Sequence, residues 1–295
     1  VGLAPLNFNT GKDWFLKEHS ENGDTLTYWI TDSLIAKMDT LKFKVSFSTT
    51  DSSNNLVIKS DTVVLRYQAV VQRSTGSRRA ATRDKEKPSH VLALKAGISS
   101  RSAVTLNKPL QFSAERPLGA ILPDKIELFR VVDSTSIAKP FTCVRDSNNI
   151  RIFHLASAWD EDSHYRLLLM PGAVSDIYGR VNDTMDIKFT TQKAEYYGRI
   201  LATLSGSSFP VILQVMDQKD RVVVTHRVSE PGKVVFDFLP PAGYVLKAVY
   251  DKNQNGKWDT GNYLEHIQPE KVFFYKLPVD LRSNWDVEAI WDIGE

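Results

Sequence analysis

The chain has 295 residues, 42% apolar and 24% charged, with a net charge of +2, the composition of an ordinary globular chain. No run approaches the roughly 20 apolar residues that a membrane-spanning helix needs, and so small a net charge argues against nucleic acid as a partner. Cys143 is the one cysteine, which excludes an intramolecular disulfide and a thiolate zinc cluster.

The opening "VGLAPLNFNTGKDW" has neither a basic region nor a long apolar core. Membrane association is therefore expected only through an anchor upstream of the given sequence. The length suits two or three small domains.

Period-two alternation then dominates. "TLTYWIT" sets Leu26, Tyr28 and Ile30 on one face, and "TLKFKVSFST" does the same with Leu41, Phe43, Val45 and Phe47. Alternation of this kind marks strands buried on one side. "DSSNN" signals a turn before "DTVVLRY", so residues 13–67 are expected to hold about five strands. Between them, "DSLIAKMD" (32–39) is the best helical candidate, and it is short. Residues 1–71, an N-terminal β-domain or part-domain, are expected to pair with or pack on a neighbouring domain.

Residues 72–90, "QRSTGSRRAATRDKEKPSH", are basic and nearly free of apolar side chains. They are expected to form a linker or mobile loop. No aromatic residue is interleaved to stack on bases, which again disfavours nucleic acid.

From 91 to 193 strands resume in "VLALKA", "PLQFSA", "KIELFRVV", "IRIFHLA", "YRLLLMPG" and "MDIKFTT". Tyr165, Leu167 and Leu169 share one face, and Cys143 in "KPFTCVRD" is expected to be a buried strand residue. The turn spacing suits an antiparallel sandwich. A third run, 194–295, starts at "YYGRILATL" and ends at "WDVEAIWDI".

Within that run lies "DKNQNGKWDTGNYLEH" (251–266). Asp251, Asn253, Asn255, the Lys257 carbonyl and Asp259 follow the order in which an EF-hand-type loop supplies oxygens to calcium, with Gly256 at the sharp turn. At the twelfth position Asn262 replaces the usual bidentate Glu, which predicts weak binding unless Glu265 swings in. A tight Asn-Gly turn held by its own Asx side chains is the competing reading.

Other chemistry is sparse. "WDEDSH" (159–164) gathers three acids and a histidine, expected to be a solvated turn. The six histidines lack metal-ligand spacing. There is no nucleophile elbow and no phosphate-binding glycine motif, so no catalytic residue is assigned and no enzyme is expected. Trp14 and Trp29 are the candidate binding aromatics, for a sugar or a protein partner. Trp29 lies on the face opposite Tyr28, either covered by another layer or exposed.

Three resemblances follow from particular residues. "PDKIELFRV", "SHYRLLLMPGAVSDIYGRVND" and "IKFTTQ", with Tyr165, Gly172, Asp176 and Gly179 at the matching positions, resemble a bacterial Ig-like domain of the surface-layer type. "YGRI" and "VVFDFLPPAGYVLKAVYDKNQNGKWDTG" resemble the transthyretin-like modules grouped with carboxypeptidase regulatory domains. Triplets such as "DTL" at 24 and 39, "DTV" at 61 and "DTM" at 183 resemble the O-glycosylation signal of exported Bacteroidetes proteins. The pairing of the two domains resembles Bacteroidetes cell-envelope proteins, many of them lipoproteins.

These resemblances imply an all-β fold of serial antiparallel sandwiches and an outer-membrane-associated location. They imply no reaction, because such domains host unrelated functions. The function expected is a non-catalytic envelope scaffold that binds another envelope protein. The alternative is a glycan-binding surface protein with a calcium-stabilised loop.

Overall fold

The structure, a computed structural model, describes residues 1–9, 11, 13–20, 24–66, 91–98, 103–133, 135–262 and 265–294. The basic segment expected at 72–90 lies outside the described residues. The fold is all-β, and its described apolar core divides into three clusters in chain order.

The first cluster belongs to β1 (Gly2–Pro5), β2 (Phe15–His19), β3 (Leu26–Ile30), β4 (Thr40–Thr50) and β5 (Leu56–Arg66). β2 and β3 form a hairpin, while β1, β4 and β5 form a three-stranded sheet in that order. Trp14, Ile35, Leu41 and Phe43 make a small core, in which the Trp14 and Phe43 rings stack at 5.9 Å. The expected helix at 32–39 shrinks to a single 3-10 turn, Ile35–Lys37. Asp32 accepts backbone N–H bonds from Leu34 and Ile35, and Ile35 is the turn's one buried residue. An amphipathic helix would need a longer buried stripe.

The second cluster lies between two four-stranded sheets. Their strands are β6 (Leu94–Ala96), β7 (Leu110–Ala114), β9 (Ile126–Val132), β10 (Thr135–Ala138), β11 (Thr142–Arg145), β12 (Ile152–Ala156), β13 (His164–Leu169) and β15 (Met185–Thr190). A short pair, β8 (Leu118–Ile121) with β14 (Val174–Asp176), stands beside them. Tyr165, Leu167 and Leu169 of β13 point inward together, as the alternation predicts. Phe112 and Phe153 stack across β7 and β12 at 4.9 Å. Cys143 is half-buried on β11 against this core, and burial pushes its thiol up to about 11.

The third cluster is enclosed by two further sheets. One contains β16 (Gly198–Gly206), β19 (Gly232–Leu239) and β23 (Asp286–Ile293). The other contains β17 (Val211–Asp217), β18 (Val222–Val228), β20 (Ala242–Tyr250), β21 (Val272–Phe274) and β22 (Val279–Leu281). The β16–β23 pair is parallel, a departure from the expected all-antiparallel pairing. The Tyr244 hydroxyl donates to the Pro240 carbonyl at 2.7 Å, closing the "LPPAGY" corner.

Ion pairs and hydrogen bonds link these units. Glu18 of β2 accepts from Arg151 at 2.7 Å. The Tyr197 hydroxyl accepts the Leu106 N–H at 3.2 Å. Glu161 accepts from the Ala194 N–H at 2.8 Å, and Lys193 lies 3.4 Å from Asp162. Both termini of the 191–198 connection are thus tied to the middle sandwich.

Candidate functional site

The Asp/Asn loop leaves β20 at Tyr250 and rejoins the sheet at β21. Asp251 is buried, 4% exposed. One of its oxygens, Oδ2, accepts the Gly256 N–H at 2.8 Å. Gly256 takes a φ of +76°, a conformation in which a Cβ is disfavoured, so the chain reverses there. The Asn253 Oδ1 accepts the Asn255 N–H at 3.1 Å, and the Asn255 Oδ1 accepts the Lys257 N–H at 2.8 Å. Both amide nitrogens, Asn253 Nδ2 and Asn255 Nδ2, donate to Asp259 Oδ2. All five predicted residues therefore belong to one folded turn, and four side chains converge within it.

The loop is closed by a residue the spacing does not mark. Glu270 accepts the Lys252 N–H at 2.9 Å and the Asp259 N–H at 3.1 Å. Its own N–H donates to the Asp259 carbonyl. Trp258 donates its indole N–H to the Glu270 carbonyl at 3.1 Å and stays half exposed, so it braces the loop from outside and is not packed beneath it. At the twelfth position Asn262 accepts the Glu265 N–H and exchanges backbone bonds with Ile267. Among the described residues no three His, Cys, Asp or Glu side chains gather to hold a metal, so any cation here would depend on amide and carbonyl oxygens as well as Asp251 and Asp259.

The aromatic candidates are elsewhere and differ from each other. Trp14 is 6% exposed, held edge-on by Phe8 and Phe15. Its ring also stacks on Phe43, so the structure places this binding candidate in the core of the first unit. Trp29 is half-buried and donates its indole N–H to Glu18 at 2.7 Å, the same carboxylate that pairs with Arg151. Through that carboxylate the face bearing Trp29 is tied to the middle sandwich. Part of Trp29 still lines a cleft of about 410 Å³ with Tyr28, Leu65, Arg66 and Tyr178.

The acids of "WDEDSH" are dispersed among separate partners. Asp160 lies 2.8 Å from Lys139 and 3.4 Å from Arg130, and it accepts from the Tyr165 hydroxyl at 3.0 Å. The Lys139 hydrogen bond holds its carboxyl below the usual range. Glu161 and Asp162 face the 193–194 connection instead. His154, on β12, sits 3.0 Å from Asp146, which is likewise held low by that contact.

A second feature is the β4–β5 hairpin. β5 pairs with β4 through all 11 of its residues and, among the described residues, carries no second neighbour in its sheet. Every β5 residue is exposed, including Leu56, Ile58, Val64 and Leu65. Long apolar edges are templates for pairing with another chain.

No family model matches the chain, and no curated protein matches it. Solved structures are similar to it at low identity. The N-terminal part of the bacterial S-layer protein SbsC matches at 10% identity with a TM-score of 0.30, over 55% of this chain and 41% of that one. The TIE protein of Bacillus anthracis matches at 12% identity and 0.23, over 98% and 50%. The SGBP-B protein of a Bacteroides ovatus mixed-linkage glucan utilization locus, in complex with a mixed-linkage heptasaccharide, matches at 11% and 0.20, over 95% and 62%. The chain spans about half the length of these structures.

Proposed function

We propose that the chain is a non-catalytic spacer and binding module of a bacterial cell envelope, and that it docks another envelope protein through the β4–β5 hairpin. The observation that carries this reading is β5, exposed along its whole length and, among the described residues, unpaired on its outer edge. Its backbone groups can add a strand from a partner, with affinity from main-chain bonds and selectivity from alternate side chains. Behind it, two sandwiches with separate cores would hold that edge at a set distance from an anchoring point. The envelope setting rests on the resemblance of residues 91–193 and 194–295 to surface-layer Ig-like and transthyretin-like modules.

The reading as a non-enzyme is supported by how the acids are used. Asp160, Glu161, Asp162 and Glu18 each hold a separate base or backbone donor. The test is capture of envelope proteins from the native cells with the wild-type chain and with an Ile58→Lys/Val64→Lys variant. A partner seen with the wild type and lost with the variant is expected. Equal capture by both, or no partner for either, overturns the hairpin assignment.

The glycan reading is favoured by a different observation, the cleft lined by Tyr28, Trp29 and Tyr178. Aromatic faces beside Arg66 are the surface a sugar ring would use. Titration with bacterial and host polysaccharides, repeated with Trp29→Ala, separates the two: binding lost in that variant supports a glycan site, and absence of binding removes it.

A further inference from the structure

We infer that the loop 251–259 binds one calcium ion, with Asp251 Oδ1 at its centre. Asp251 is 4% exposed, and among the described residues its buried Oδ1 has no hydrogen-bond partner. A buried carboxylate oxygen with no donor is costly, and such groups call for a reason. Its sister oxygen is committed to the Gly256 N–H inside the loop, which orients the carboxylate toward the turn's interior.

Further oxygens lie in the same turn, with both Asn amides presenting Nδ2 to Asp259, so the ion would take the place of those two contacts. Each Asn oxygen accepts one backbone N–H, and an amide oxygen has a second lone pair to offer. Asp259 Oδ2 accepts two uncharged amide N–H groups, which leave its charge in place for a cation to meet. With the Lys257 carbonyl this gives an all-oxygen set containing two carboxylates, suited to calcium's flexible coordination and poor for zinc or for the strict octahedron of magnesium.

A comparison sharpens the assignment. Asp176 also has a buried oxygen, Oδ2, without a partner, while its Oδ1 accepts the Tyr178 and Arg180 N–H groups. Its loop supplies no further carboxylate or amide until Asn182 and Asp183, and the Asn182 side chain is committed to the Val174 N–H and to the Met170 and Asp183 carbonyls. The Asp251 loop alone of the two adds oxygens at alternate positions. Opposing the ion is Arg227, whose guanidinium reaches the Asn255 carbonyl at 3.5 Å and lies where a Gly256 Cβ would sit. With two carboxylates and a nearby guanidinium, affinity should be weak, on the order of 10⁻⁴ to 10⁻³ M.

The test is calorimetric titration of the chelator-treated full chain with calcium chloride and, separately, magnesium chloride. Saturable calcium heat in that range, with little for magnesium, is expected. Asp251→Asn, which can still accept the Gly256 N–H, should weaken binding by about tenfold or more, and Asp259→Asn should do likewise. Arg227→Ala should tighten it a few-fold by removing the competing charge. No saturable heat up to about 10 mM calcium, well above the range for such modules, overturns the inference. So does calcium binding that is unchanged in both Asp variants, since the ion would then lie elsewhere.

Discussion

β5 and β20 are both long strands, yet the chain treats them in opposite ways. β20 runs between β17 on one edge and β21 and β22 on the other, with Tyr244, Leu246, Ala248 and Val249 buried. Among the described residues β5 has β4 on one edge only, and its Leu56–Ile58 and Val63–Leu65 runs are exposed. An apolar strand is thus stabilising only where a second layer covers it. The difference separates apolar residues that hold the fold from apolar residues that remain available to another molecule.

The largest expected effect tests the covered side. Leu246 is fully buried, so Leu246→Ala should cost about 2–5 kcal/mol through lost transfer energy and a cavity. Leu65→Ala, on the exposed strand, should stay within about 0.5 kcal/mol. Urea unfolding of the two variants checks the contrast. Equal losses would mean that β5 is covered after all.

A smaller effect is expected at the seam between the first two units. Glu18 is 7% exposed and receives both Trp29 and Arg151. Glu18→Gln keeps the size and removes the charge, which should cost about 1–3 kcal/mol, the worth of a hydrogen bond to an ionised group. The same unfolding measurement, read at the transition that includes residues 1–66, reports it.

Acid should weaken the middle sandwich in a defined direction. The Lys139 hydrogen bond lowers the Asp160 carboxyl from its ordinary 3.8. A carboxyl depressed in the folded state contributes stability above its ordinary value and loses it as pH falls through the lowered one. Stability of the wild type should therefore decline below about pH 4, and Asp160→Asn should flatten part of that decline. Melting temperatures recorded between neutral pH and pH 3 measure the slope. The effect should be modest, because the Asp160 side chain is 37% exposed and solvent screens the pair.

How far the sequence reveals this design depends on the distance over which each contact acts. The alternation in "TLKFKVSFST" shows β4 and its inward face, and Leu41 and Phe43 are buried as it implies. Phe47, on that same face, is 36% exposed, because the covering residues, Trp14 and Phe8 among them, meet Phe43 and go no further along the hairpin. Periodicity reports which residues share a face and says nothing of how long the opposing layer is. It is equally silent on strand direction, so the parallel β16–β23 pair was not visible.

The loop follows the same logic. Asp251, Asn253, Asn255 and Asp259 are close in sequence and bond mainly to one another or to nearby backbone, so their spacing was informative. Glu270 closes the turn through backbone N–H groups, which leave no pattern of side-chain types to read. Its one sequence signal is an acid placed just before β21. The Glu18–Arg151 contact joins residues 133 positions apart, and nothing local to either residue announces it.

The smallest expected change in stability carries the sharpest functional contrast. Ile58 and Val64 face the same side of the β4–β5 ribbon, since Ile58 pairs with Ser48 and Val64 with Lys42. Lysine at both positions should alter stability by no more than about 0.5 kcal/mol each, the usual range for exposed sites. Charged side chains on an edge oppose the approach of another strand, so the double variant should still unfold like the wild type while losing its envelope partner. A variant that unfolds at much lower urea would show that the ribbon's apolar residues support the fold. Unchanged stability with unchanged capture would place the docking surface elsewhere, with the aromatic cleft beside Trp29 the next surface to alter.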